Sequence, residues 1–522
     1  MLKRNRNITP IGLLGVAAAM LMPLATAQAQ TANDTIRFAT ASLAPAFGRP
    51  EQGTASPSVY SVWPFYDSLT MVSPKGEVSG LLAAGWENID ANTWRVSLVR
   101  GVKFHNGKEL TADHVAAQFT YLIEDADAAG TVAKSTNERQ AFVASARAID
   151  SHTVEFKTTQ PNPELARQLA GFWIPETDVR KDLGTADFSK APVGTGPYMN
   201  PKYSGGTDGE INATAFRDGV RKPQIGNLRV IALKEAASRV SALVSDQVDI
   251  VQGVPFDAKD QIEAAGHRVD FADRPSVLGW RFMAVRESSP FNDKRVRQAA
   301  NYAVDRDSMA RDLLGGTSVP GGQCATRNTF GYNPDVKPYP YDPAKAKALL
   351  KEAGFENGFE TEAMVIPGSF PADNEIYQLA AAQLTAVGIR TTLTVITFPQ
   401  WLDMWFGRKK APDGTMGFSD IFSNACHNFN AIPFDSYPNL TCKKGELPSN
   451  CNKEETALLD KAMGEFDVEK RRKLIQELMA FNHDHAPNLF FVELTDLTGI
   501  NKRVQGFTNT IQRFNFHEIT LN

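Results

Sequence analysis

Between Thr93 and Gln118 the chain reads TWRVSLVRGVKFHNGKELTADHVAAQ. Trp94, Val96 and Leu98 alternate with polar residues, which predicts a strand with one buried face, and Asn106-Gly107 supplies a tight turn. Thr111 then stands as a helix N-cap with Asp113 in the first turn, and Val115, Phe119, Leu122 and Ile123 share one helical face. The same alternation of periods continues along the chain. Thr35 to Ala41 reads as a first strand, and the residues from Ser61 to Glu87 as a short helix, a hairpin around Lys75-Gly76 and a strand. Ala237, Val240, Leu243 and Val244 repeat at helical spacing before the apolar run Val248, Ile250 and Val251.

A helix begins near Asn292 or Asp293 with Val296, Ala299, Ala300 and Ala303 inward, and a second is capped by Asp305 and stopped at Gly315-Gly316. Asp342-Pro343 opens another, ending at Gly354. Leu379 to Val387 reads as a helix, Arg390 to Thr397 as a strand, Arg471 to Met479 as a helix and Asn488 to Leu494 as a buried strand. Strands alternating with helices in this way predict an α/β protein.

Length allows two to four domains, and 42% hydrophobic with 22% charged residues is ordinary for a globular protein. The start changes the picture. Lys3, Arg4 and Arg6 precede an apolar run from Ile11 to Leu24, and Ala27-Gln28-Ala29 offers a small-x-small cleavage site, so residues 1–29 read as a signal peptide. The run is shorter than the roughly 20 residues of a membrane span, and no cysteine follows the cut to take a lipid. A free periplasmic protein is expected. Without those three cations, 52 basic residues face 59 acidic ones, a charge of about −7 that argues against a nucleic-acid partner.

Four cysteines admit three pairings, and export favours disulfides over thiols. The loop-like KKGELPSN between Cys442 and Cys451 favours bridging those two, which leaves Cys324 for Cys426. A zinc site is the rival, and no C-x-x-C pair supports it.

Trp86, Glu87, Asp90, Thr93, Trp94, Leu98, Gly101, Val102, Lys103, Phe104, His105, Gly107, Thr111, Ala112 and Val115 fall in one register. In that register the chain resembles the family 5 extracellular solute-binding proteins, periplasmic peptide receptors of ABC importers. Val96, Val99, Asn106 and His114 depart from the family phrase. Tyr66 to Thr70, the PVGTGPY stretch from Pro192 to Tyr198, and FNDKRVRQAANYAVDR from Phe291 to Arg306 extend the likeness, with Asp246 where the common turn has Gly. PVGTGPY lacks the spacing of a phosphate loop and reads as a structural turn.

The resemblance implies a two-lobed type II binding-protein fold with a hinge, Arg274 to Val285 crossing between lobes. It implies one lobe from residues 30–73, 192–285 and 500–522, an extra subdomain from 74–191, and a second lobe from 286–499. It further implies ligand contacts. Trp401 matches a tryptophan preceding a helix, Phe418 replaces the Trp of a G-W pair, and Asp420 is nearest to an aspartate that neutralises the α-ammonium of peptides. Trp401 and Trp405 can equally be core residues, and Asp420 a helix cap or solvated. Arg281 aligns with a strand near the cleft, where a guanidinium can grip a carboxylate or phosphate, or pair with a neighbouring acid.

The function so implied is a monomeric, non-catalytic receptor without cofactor that closes over a peptide or peptide-like solute and delivers it to a membrane permease. Opines, short sugars and metal complexes suit the same kind of cleft. A secreted hydrolase acting on peptide or glycan is the second class, and no H-E-x-x-H, G-x-S-x-G or catalytic-cysteine signature supports it. His483-Asp484-His485 lacks a third metal ligand and reads as an exposed helix end.

Overall fold

Two strands are far longer than the usual five or six residues: Arg268–Phe282 with 15 and Asn488–Ile500 with 13. They pair antiparallel, from Arg268 opposite Ile500 to Arg281 opposite Asn488, with register shifts between Asp273 and Val277 and again before Gly279. Pro275 lies in the first irregular stretch, where a residue without an N–H cannot serve a ladder. The break divides each strand into two halves. One half of the pair joins Ile250–Gln252, Thr35–Thr40, Asn227–Ala232, Glu210–Ala215 and Tyr198–Ser204; the other joins Ile421–His427, Phe359–Val365 and Ile389–Val395. The first long strand starts six residues before the expected Arg274, because its early half carries charges that mask a strand pattern.

The computed structural model describes residues 34–44, 50, 59–124, 142–204, 208–405, 409–428, 432–433, 442, 448–510 and 513–522. The expected signal peptide and most of the loop after the first strand lie outside them. Among the described residues no helix is long and apolar enough to cross a membrane.

The architecture is a two-lobed α/β fold, the lobes joined by the crossing strands as the resemblance implies. In one lobe Thr35–Thr40 runs parallel to both Asn227–Ala232 and Ile250–Gln252; in the other Phe359–Val365 runs parallel to Ile389–Val395 and Ile421–His427. Gln252 sits opposite Thr498 and His427 opposite Ser276. The carboxyl ends of both parallel sets therefore point at the irregular middle of the long strands, from opposite sides. Each lobe keeps its own core: Ile36, Phe38, Trp63, Tyr66, Val230 and Phe514 in the first, and Trp280, Phe282, Val296, Ala300, Leu384 and Phe491 in the second.

A separate four-stranded antiparallel sheet, ordered Ala83–Asp90, Thr93–Leu98, Thr153–Thr158 and Val143–Asp150, packs on the helix Ala112–Glu124. Trp94, Val96 and Leu98 are buried as their alternation predicts. The Thr111 N–H donates to Nδ1 of His114 at 3.1 Å, so histidine does the capping-box work of the family's aspartate.

Helices begin where their caps stand. Asp293 accepts from the Arg295 N–H and Asp305 from that of Ser308. The helix Asp373–Val387 starts six residues before the expected Leu379, because its first turn is polar; the Asp373 carboxylate gathers the N–H groups of Gly368, Ser369 and Phe370. Val468–His485 likewise outruns the expected Arg471 to Met479, from an Asp467 cap to a left-handed Ala486.

PVGTGPY is a structural turn, and its partner is the Tyr66 to Thr70 phrase. Thr195 Oγ1 donates to Asp67 at 2.7 Å, and Arg221 donates to Asp67 at 2.6 Å and to the carbonyls of Trp63 and Tyr66. Gly196 lies so close that a Cβ would stand 2.4 Å from the Phe65 carbonyl carbon and 2.5 Å from Pro64 O. Both obstacles are backbone and cannot swing aside. Gly196→Ala is expected to cost about 2 kcal/mol or more, read as a lower urea midpoint at unchanged slope; an unchanged midpoint would show that the turn is free to shift.

Candidate functional site

Ligands of open α/β sheets bind outside the carboxyl ends of the strands. Here two such sets of ends meet over the hinge. At the hinge the long strands carry Asp273 and Arg274 on one, and Glu493 and Asp496 on the other. Thr326 and Thr329 close a turn, the Thr326 N–H donating to Thr329 Oγ1 at 3.2 Å and the Thr329 N–H to Thr326 O at 2.8 Å, and this lifts Arg327 and Asn328 to its tip. Arg327 Nε lies 3.3 Å from Asp273 and 3.7 Å from Glu493, and Asn328 donates to Asp273 at 3.1 Å. Arg274 reaches Asp496 at 3.4 Å and lies 5.5 Å from the Phe370 ring, which follows the strand Phe359–Val365.

Exposure separates the partners: the Arg327 side chain is 44% exposed and that of Glu493 10%. Burial pushes the Glu493 carboxyl up to about 7 against the pull of Arg327, and Asp273 adds to the push. At 3.7 Å the Arg327 contact is too loose to reverse that. The hinge group thus offers a half-open guanidinium beside two carboxylates.

A disulfide holds this wall. Cys324 is bonded to Cys426 across 102 residues, joining the Arg327 segment to the end of the strand Ile421–His427. Asn428, fully buried, donates from its side chain to Cys324 O at 2.6 Å and from its backbone to Pro275 O at 2.9 Å. Cys442 is bonded to Cys451, so both pairings are those favoured by spacing and exclusion.

Trp401, Trp405, Phe418, Asp420 and Arg281 gather in one region, at the opening of the strand Ile421–His427 rather than at its hinge end. Trp401 stacks on Trp405 at 4.7 Å and tilts against Phe418 at 5.9 Å; its Nε1 donates to Ser423 O at 3.0 Å. Both tryptophans are half-buried, whereas Phe418 is buried on Phe422 at 4.1 Å. Arg281 is 0% exposed, donates to Asn488 Oδ1 at 3.3 Å and lies 5.5 Å from the Trp405 ring, with the buried Glu455 carboxylate attracting it. Burial raises the Asp420 carboxyl above its usual range, against a hydrogen bond from Ser289 and the charge of Arg286 at 3.9 Å. Seven strand residues separate Asp420 from the hinge end, about 20 Å.

His483 departs from expectation. It is half-buried, stacks on Tyr339 at 4.3 Å and has Nδ1 2.8 Å from Gly322 O, so it is a packing residue rather than an exposed helix end. Among the described residues, His114, Glu176 and Asp178 come close enough to hold a cation. The Lys108 ammonium already pairs with both carboxylates, and the Thr111 bond to Nδ1 leaves the His114 proton on Nε2.

A model of the bacterial extracellular solute-binding proteins, family 5 Middle, matches residues 77–423. The chain belongs to this family. A dipeptide-binding protein of Escherichia coli (strain K12) is 28% identical over 480 residues, covering 85% of this chain and 86% of that one. Heme-binding protein A of Haemophilus influenzae is 26% identical over 461 residues, covering 83% and 82%. A periplasmic binding protein of an ABC transporter from Helicobacter pylori, solved with the peptide STSA, superposes with a TM-score of 0.80 at 22% identity, covering 95% of this chain and 99% of that one.

Family 5 proteins are substrate-binding proteins rather than enzymes, and this solute-binding protein shares their two-lobed fold. Its hinge group escaped the residue-by-residue likeness. The available signal was physical: Glu493 and Asp496 inside an apolar strand, and a Thr-x-x-Thr turn presenting an arginine.

The Glu493 carboxyl yields a signed prediction. Its folded pKa lies above the unfolded value, so the native state holds the extra proton, and stability falls as pH rises from about 4.5 through about 7. Glu493→Gln removes that slope. The variant's melting temperature is expected to gain on the parent between about pH 5 and pH 8; parallel curves would show that Glu493 is not desolvated.

Proposed function

We propose that this solute-binding protein captures a small peptide-like solute between its lobes in the periplasm, after loss of residues 1–29, and delivers it as a monomer to the permease of an ABC importer. The convergence of both sets of strand ends on a hinge group of mixed charge carries this reading. Arg327, Asp273 and Glu493 put both signs within 4 Å of one another, which suits a zwitterion. A ligand carboxylate replaces Asp273 on the Arg327 fork, and the freed carboxylate receives the ammonium. We take the lobes to divide at the irregular middle of the two long strands rather than at residues 285 and 499, because Trp280 and Phe282 pack with the second lobe and Leu497 and Ile500 with the first; residues 30–73, 192 to about 274 and the chain end then form one lobe, with 74–191 inserted in it.

Trp401 and Trp405 supply a partly open aromatic wall on the second lobe, backed from the interior by Phe418 and Arg281. Asp420 serves only a long ligand, since about 20 Å exceeds the span of a dipeptide. Closure responds to ligand because the contacts from both lobes exist together only in the closed form. The relatives' names support a peptide: one binds dipeptide and one was solved with STSA, while a third binds heme.

The test is native mass spectrometry of protein taken from the periplasm without refolding, followed by a panel of dipeptides and tetrapeptides. A retained peptide mass is expected. Arg327→Ala should weaken the best peptide about tenfold or more with an unchanged melting curve, and Trp401→Ala by less. A retained sugar or metal complex with no peptide affinity would reject the reading.

A further inference from the structure

The inserted sheet is tied to the first lobe but also touches the second. Thr70 Oγ1 donates to Ala166 O at 2.6 Å and the Arg513 guanidinium to Ala170 O at 2.6 Å, so the segment around Glu164 to Ala170 moves with the first lobe. Across from it stand Phe330 and the start of the helix Val468–His485, which belong to the second lobe through the core of Cys324, Ile475 and Met479.

Glu164, 4% exposed, accepts from Arg167 Nε at 2.8 Å with one carboxylate oxygen; its other oxygen lies 2.7 Å from Arg471 Nε. Arg471 also donates to Glu465 O at 2.8 Å, which anchors it to its own lobe. Three guanidiniums surround the Phe330 ring, Arg472 at 4.6 Å, Arg471 at 5.5 Å and Arg167 at 5.7 Å. Beside them Trp94, whose Nε1 donates to Asn162 O, faces Phe466 at 6.4 Å, and Phe466 packs on the core of the inserted sheet. In the opposite sense Phe142 packs on the second lobe's core.

We propose that this contact is a latch between the inserted subdomain and the second lobe, one that sets the open-to-closed ratio before any ligand arrives. It rests on the reading of the chain as a receptor whose lobes close. Two features fit a reversible contact rather than a permanent brace. Glu164 keeps Arg167 as its partner when Arg471 leaves, so opening strands no lone carboxylate. The faces that part are guanidinium on phenyl and indole on phenyl, which tolerate water better than an aliphatic seam does. The chain joins the two sides only through the hinge strands, and Phe330 follows the Thr326–Thr329 turn that carries Arg327, so the latch acts on the cleft from beside the hinge group.

The test places dyes on cysteines introduced at the exposed Lys181 and Lys347, in the full mature protein with its disulfides intact, and reads single-molecule distances without ligand. Arg471→Glu should raise the open-to-closed ratio about tenfold or more, Phe330→Ala should raise it as well, and Glu164→Arg added to Arg471→Glu should bring it back toward the parent. Unchanged distances in both single variants, with or without a lower melting temperature, assign the contact to a static brace and overturn the latch. Dipeptide binding measured on the same samples separates the two readings. Peptide bound with unmoved distances rejects the latch alone, and a shifted distance without peptide affinity rejects the peptide and keeps the latch.

Discussion

Everything in this molecule depends on one hydrogen-bonded ladder with a flaw in it. A backbone N–H or carbonyl buried without a partner costs free energy, so two strands crossing between lobes must pair along their whole length. Pro275 cannot donate, and the register slips around it. The slip leaves the pair bonded on both sides and irregular in the middle, where Asp273, Arg274, Glu493 and Asp496 find partners in Arg327, Asn328 and one another. The defect that lets the lobes turn is thus also what lets charge sit at the cleft floor.

Buried arginines do the holding elsewhere. Arg306, fully buried, donates to the carbonyls of Phe490, Asn301, Val304 and Tyr339, and burial holds its guanidinium down to about 10. Arg297 does the same for His485, Phe291 and Asn292. In the first lobe Asp249 is lifted by burial yet held below its usual range by Arg37 at 2.7 Å and Arg503 at 2.6 Å. A guanidinium with five donors on three nitrogens in one plane can close carbonyls several ångströms apart, whereas the three donors of a lysine ammonium all sit on one nitrogen.

That explains what was legible in the sequence. The phrase from Phe291 to Arg306 matched nearly letter for letter because Asp293 and Asp305 cap, Arg297 and Arg306 tie loops, and the alanines pack; each letter has a local job. Asp246 for Gly reads the same way: it takes φ 58°, and its carboxylate accepts from Asn501 at 2.7 Å, which offsets the strain. Helix starts with polar first turns, as at Asp373, stayed hidden because apolar periodicity does not register them. The hinge group was illegible for another reason. Asp273, Arg327 and Glu493 lie far apart in the chain and meet only through the crossing strands and the Cys324–Cys426 bond. Likeness could place Trp401 beside its strand, yet it placed Phe418 and Asp420 at the end of that strand away from the hinge.

The hinge group and the proposed latch then carry unequal tasks. At the hinge, a ligand must compete with Asp273 for Arg327, so recognition begins by exchanging one ion pair for another, and the net gain is small unless the ligand brings a second charge of opposite sign. At the proposed latch, the Glu164 and Arg471 contact uses no ligand group and so contributes to closure whatever is bound. A receptor built from both parts discriminates at the hinge group and adds affinity at the latch. With such a latch the solute need not be large to be held, only charged in the right two places, because the latch supplies closure energy that a small ligand lacks the surface to provide.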